Sequence, residues 1–180
     1  MNKAPTSKWT IFFISALTAG AASIAHADTG SITWNNRTPH SYSIKIASHS
    51  QCVMAPDTTS HDVNRGGHQT YTFNINRNAC SDNVWIVFNY IQIVSSNKII
   101  SGTVKYRETL DREYNLMARV SPSINYPSRV KPDGFRASCG PLALPCGQRS
   151  VKVGKTLVSI NVVTLAALEA TVSATAPIFR

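Results

Sequence analysis

The sequence predicts an all-β protein: an antiparallel β-sandwich of about seven or eight strands, with a closed β-barrel as the second choice. Three observations carry this expectation. Short alternating apolar–polar segments recur at intervals of about 10–15 residues, broken by Gly, Pro, Asn and Asp. Almost no segment has the spacing of an apolar helix face. One stretch, Asn83 to Ser95 (NVWIVFNYIQIVS), concentrates β-branched and aromatic residues more densely than any other.

The first 27 residues read as a cleavable signal peptide. Lys3 and Lys8 make a basic start, Ile11 to Ile24 is apolar, and Ala25-His26-Ala27 offers a small-x-small site with cleavage after Ala27. Ser15, Thr18, Gly20 and Ser23 interrupt the apolar run, which falls short of the ~20 residues of a membrane helix. An uncleaved anchor is the alternative, and the mature chain is expected to hold no transmembrane segment. The product is therefore expected to be secreted or periplasmic. Residues 28–180, 153 of the 180, suffice for a single β-sandwich domain.

The formal net charge of +9 falls to +7 when Lys3 and Lys8 leave. The cations run from Arg37 to Arg180 with no run of five, so the field favours anionic partners in general: a membrane surface, a glycan or an acidic protein. No basic cluster interleaves with aromatics, which disfavours nucleic acid.

Taken in order, Ser31 to Trp34 opens a strand that stops in the turn cluster Asn35-Asn36-Arg37-Thr38-Pro39. Asn36-Arg37-Thr38 is also formally a glycosylation sequon. Tyr42, Ile44 and Ile46 alternate with Ser41, Ser43 and Lys45 in a half-buried strand. His49 to His68 is a polar loop. Tyr71, Phe73 and Ile75 alternate with Thr70, Thr72 and Asn74, and this strand runs out toward Cys80. Apolar residues at odd and even positions of Asn83–Ser95 predict burial on both faces for part of that run. Ser95-Ser96-Asn97-Lys98 suits a hairpin turn, and Ile99 to Tyr106 the return strand with Gly102 as a bulge. Glu108 to Glu113 reads as a solvated turn, and Tyr114 to Ser121 as another strand.

Five prolines and three glycines predict a long irregular loop at 122–148. Tyr126, Arg129, Lys131, Arg136 and Arg149 make it the first place to look for a ligand contact. Arg149–Val153 and Thr156–Val163 resume strands around a Gly154-Lys155 hairpin turn. The tail from Thr164 to Ala174 leaves a short helix and an edge strand both open.

Cys52, Cys80, Cys139 and Cys146 all follow the leader, and an even count in an exported chain reads as two disulfides. Of three connectivities we favour Cys52–Cys80, flanking one strand, and Cys139–Cys146, closing CGPLALPC. Each bridge stabilises by about 2–4 kcal/mol. Cys52→Ser and Cys80→Ser would then cost the same.

The one constellation that suggests a metal is His40, His49, His61 and His68 with Cys52, Met54, Asp57 and Asp62. Its spacings match no local ligand motif, so no metal or cofactor is assigned. No Gly-x-Ser-x-Gly elbow, His-Glu-x-x-His helix or Gly-x-Gly loop occurs, and no catalytic residue is assigned. Trp34, Tyr42, Tyr71, Phe73, Trp85, Phe88 and Tyr90 read as core.

The leading expectation is a non-enzymatic binding or recognition module for an envelope, host-surface or protein partner. The second is a membrane-active, lysin-like protein. In layout the chain resembles aegerolysin-like sandwiches: an opening strand running into Asn-rich turns, a basic surface and aromatics in the strands. No residue role is carried over. A lysin implies exposed aromatics at one end of the sandwich, and a protein-binding module an apolar patch or an open strand edge. The third reading, a small secreted enzyme, requires a pocket with a histidine near a carboxylate and a hydroxyl.

Overall fold

The computed structural model describes residues 28–80, 83–126 and 133–164. Residues 1–27 and 165–180, on which the expected signal peptide and nearly all of the expected tail fall, lie outside these residues. In chain order the strands are β1 (Asp28–Arg37), β2 (Tyr42–His49), β3 (Val53–Met54), β4 (His61–Val63), β5 (His68–Ile75) and β6 (Asn83–Ser95). They continue with β7 (Lys98–Leu110), β8 (Leu116–Asn125), β9 (Asp133–Cys139), β10 (Leu144–Pro145), β11 (Val151–Val153) and β12 (Leu157–Thr164). Eight of these are long, against about seven or eight expected, with β9 gained and the expected strand at 149–153 reduced to the short β11; four are two- or three-residue edge pieces. The only helical turn among the described residues is a 3₁₀ turn, Arg77–Ala79, capped by the Asn76 side chain.

The strands form two sheets, one ordered β10-β9-β12-β1-β5-β3 and the other β11-β8-β7-β6-β2-β4. Neither closes into a barrel, and each sheet ends on a two- or three-residue strand, which limits edge-to-edge pairing. All pairings are antiparallel except β1 with β12, which run parallel from Ser31↔Leu157 to Arg37↔Val163. That pairing corrects two expectations. The sandwich is mostly rather than wholly antiparallel, and Gly154-Lys155 does not close a hairpin. It carries the chain from β11 in the second sheet to β12 in the first, because Val153 and Val158 belong to facing layers.

The two inner faces share one apolar cluster. Trp34 of β1 packs edge-on to Phe88 of β6, ring centroids 5.3 Å apart, and Tyr71 meets the same Phe88 at 5.2 Å. Phe135 of β9 reaches across to Tyr90 at 5.2 Å. Rings at these distances and tilts add about 0.5–1.5 kcal/mol each beyond the area they bury.

The β6–β7–β8 meander is the backbone of the second sheet. β6 has the bounds read from its composition, but only its even positions, Val84 to Gln92, are buried. Trp85 and Val87 are half-buried on the outer face, and Ile91 and Ile93 are exposed there. Burial on both faces is therefore not realised, because nothing covers that face among the described residues. The ladder's irregularity falls between Ile93 and Ser95, not at Gly102. Gly102 instead permits a close approach: a Cβ there would lie 2.2 Å from the Ser123 carbonyl oxygen.

The expected irregular loop at 122–148 contains the end of β8 from Pro122 to Asn125, then β9 and β10. Pro122 is accepted because β11 covers β8 only at Leu116–Ala118, which leaves the rest of β8 an edge. Between Pro132 and Gly140 the seven residues DGFRASC are enough for a strand, with Ala137 and Cys139 turned inward.

Candidate functional site

Both disulfides have the favoured connectivity, Cys52–Cys80 and Cys139–Cys146. Cys52 is thereby withdrawn from any metal set. Among the described residues, no three His, Cys, Asp or Glu side chains stand close enough to hold a metal ion.

A histidine, a carboxylate and a hydroxyl do meet, at His61, Asp57 and Thr59. His61 Nε2 lies 2.6 Å from Asp57 Oδ2 and 2.8 Å from Thr59 Oγ1. One ring nitrogen thus serves both partners, whereas a catalytic relay uses the two nitrogens for different partners. The Thr59 hydroxyl and amide also donate to Asp57 Oδ1, at 2.6 and 2.9 Å. Hydrogen bonds from Thr59, then from His61, hold Asp57 down at about 2. This is a self-contained loop clasp.

Glu108, expected on a solvated turn, is fully buried. Its side chain points between the sheets, accepting hydrogen bonds from the Tyr106 and Thr156 hydroxyls and from Arg77 Nη2 at 3.1 Å. Arg77 Nε in turn donates to Asp28 Oδ2 at 2.7 Å. The network ties β1 and the β11–β12 crossover to β7. Burial and then the Glu108 carboxylate raise the Tyr106 hydroxyl well above its ordinary value, so it remains a donor.

The sequon asparagine is also structural. Asn36 is buried, its Nδ2 donates to the His40 and Val63 carbonyls at 2.8 Å each, and its Oδ1 accepts from Thr38. An amide nitrogen committed in this way staples the β1–β2 turn and offers no acceptor site for a glycan in the folded chain.

What remains is the contrast between the two outer faces. On the first sheet, strand alternation sends Thr33, Thr70 and Ser159 outward in one cross-strand row with Ser138, and Asn35 beside Asn161 in the next. Thr33 and Thr70 hydrogen bond at 2.9 Å, and Asn35 donates to Ser159 at 2.9 Å. Arg136 and Arg37 are also exposed on the first sheet, but only the second groups its cations. Lys105 and Arg107 alternate outward on β7, and Arg107 stands directly opposite Arg119 of β8. With Thr109, Ser121 and Ser150 they line a shallow trough of about 480 Å³. Arg107 Nε is aimed by the Asn83 side chain at 2.8 Å, and Lys105 Nζ sits 5.1 Å over the Trp85 ring. No carboxylate lines the trough, and none of its three cations makes an ion pair among the described residues.

Like charges directly opposite on neighbouring strands repel, by roughly 0.2–1 kcal/mol. The trough can relieve this by holding anionic oxygens, with guanidinium forks for bidentate bonds and hydroxyls as further donors.

The sequence reading placed its basic contact on 122–148. There Arg136 belongs to β9 in the other sheet, and Arg129 and Lys131 lie outside the described residues. The trough residues were missed because cations two apart in a strand share a face without forming a run. Lys105-Tyr106-Arg107 with Arg119-Val120-Ser121 was the available signal.

The exposed aromatics Tyr114 and Tyr126 stand at opposite ends of β8. They form no cluster at one end among the described residues, unlike the pattern expected of a lysin. No known protein family matches this chain, and neither does any curated protein. Two disulfides in an all-β fold are compatible with an exported binding module.

Proposed function

We propose that this is an exported, disulfide-stapled binding module that recognises an anionic partner through the outer face of its second sheet. The observation that carries the reading is Arg107 facing Arg119 beside Lys105, with hydroxyls around them and no carboxylate. Such a site is costly when empty and favourable when an anion enters it. A rigid sandwich supports it, since Tyr106 and Val120, the residues between the cations, are locked in the core. Export agrees with the two bridges and with the leader-like first 27 residues.

The test is binding to dextran sulfate, a soluble polyanion, by calorimetry at low and high salt. Binding that weakens with salt is expected. Arg107→Glu with Arg119→Glu should weaken it by about tenfold or more, each cation near an anionic surface being worth about 1 kcal/mol. Unchanged affinity in the double variant would remove the trough from consideration.

A further inference from the structure

We propose that the anionic partner is a lipid bilayer, and that the end of the sandwich below the trough anchors in it through Tyr114 and Leu142. The inference rests on the anion-binding reading of the trough and names its partner.

Tyr114 and Leu142 are the most exposed large apolar side chains among the described residues, at 83% and 81%. They belong to loops at the same end of the molecule. The Gly140 amide donates to the Leu157 carbonyl at 2.7 Å, and a Cβ on Gly140 would touch Val153 at 2.9 Å. Val153 pairs with Leu116, and Leu116 with Leu110, the two residues that bracket the Tyr114 turn. Leu110, Leu144 and Leu157, each more than a third exposed, add apolar surface at this end. Thr109 lines the trough immediately before Leu110, so the cationic face runs down to the same rim.

Both prongs are rigidly presented. Tyr114 has φ 59°, which a bulky residue seldom adopts. The Asp111 carboxylate holds this turn by accepting from the Glu113 amide at 2.9 Å and the Asn115 amide at 2.8 Å. Leu142 is followed by Ala143 at φ 50°, inside the loop closed by Cys139–Cys146. Backbone strain held by local braces at two exposed apolar tips marks a contact surface. Little ordering is left to lose when these side chains leave water.

Charge selects the bilayer. The prong loops themselves are mixed in charge, Arg112 and Lys155 against Asp111 and Glu113, so the positive field comes from Lys105, Arg107 and Arg119 of the trough, which make no ion pair among the described residues. Without Lys3 and Lys8 of the leader, 16 basic residues stand against 9 acidic ones. Separate apolar tips at the foot of a cationic face fit the interface of an anionic membrane, where rings and chains enter the acyl boundary and cations meet headgroup phosphates.

The experiment is flotation of the protein with vesicles of phosphatidylcholine alone and of phosphatidylcholine with phosphatidylglycerol. Tyr114→Asn with Leu142→Ser is run beside the wild type. Asparagine accepts positive φ, so the variant's melting temperature serves as the control for folding. The wild type should float with the anionic vesicles, and the double variant should bind them about tenfold more weakly or worse. Its affinity for dextran sulfate should stay as it was. Equal flotation of variant and wild type overturns the anchoring role. A wild type that holds dextran sulfate but ignores both vesicles overturns the bilayer, leaves the trough reading standing and turns the search to a soluble anionic protein or glycan. If neither probe binds, both readings fall.

Discussion

Asp57 offers the sharpest test of a single residue. Its carboxyl is held at about 2 by Thr59 and then His61, against an ordinary 3.8. A depressed acid stabilises the folded loop above its unfolded value, and that contribution is lost as pH falls through about 2. The Thr59 amide proton, which donates to Asp57, should therefore titrate near 2 by NMR. In Asp57→Asn that step should vanish. A step near 4 in the wild type would mean that the clasp is not formed. Gly102 is the steric counterpart. In Gly102→Ala the new Cβ meets the Ser123 carbonyl oxygen and, at 2.7 Å, the Ile124 Cα. Both are backbone atoms with no rotamer to yield, so a loss of about 1–3 kcal/mol should lower the urea midpoint. An unchanged midpoint would place β8 farther from β7.

At the scale of elements, the Cys52–Cys80 bridge joins the segment before β3 to the one before β6, and its two ends differ. Cys52 is fully buried with Ser50 Oγ 3.1 Å from its sulfur, while Cys80 is only partly buried. Either serine substitution loses the bridge, about 2–5 kcal/mol. Cys52→Ser also places a hydroxyl in the core and should cost about 1 kcal/mol more. Equal denaturation midpoints would restore the symmetry expected from sequence and argue against the depth of Cys52. The contrast shows what sequence conveys about an element. β6 could be bounded from Asn83 to Ser95 because β-branched and aromatic residues end abruptly there. β9 was lost among the prolines and glycines around it and Gly134 within it. Glu108 was assigned to solvent by its charged neighbours, since its partner Arg77 is 31 residues away. The trough needed the β7–β8 register, which alternation suggests and only pairing fixes.

Over the whole molecule, the two outer faces differ in how their cations are grouped. One carries a row of Ser and Thr hydroxyls with Arg136 and Arg37 apart from each other beyond it, the other three cations in one trough, so binding should have a preferred side. The same architecture has a consequence in time. β1, the first described strand, lies between β5 and β12, the last described strand, in parallel register. Until β12 has been synthesised, β1 keeps one edge unpaired, however well β6, β7 and β8 have already assembled as neighbours in sequence. The first sheet can close only late, through a contact spanning most of the domain, and such topologies fold in milliseconds to seconds. A nascent chain would thus carry an open strand edge until β12 has emerged, and completion of the fold is delayed by the order in which its strands arrive.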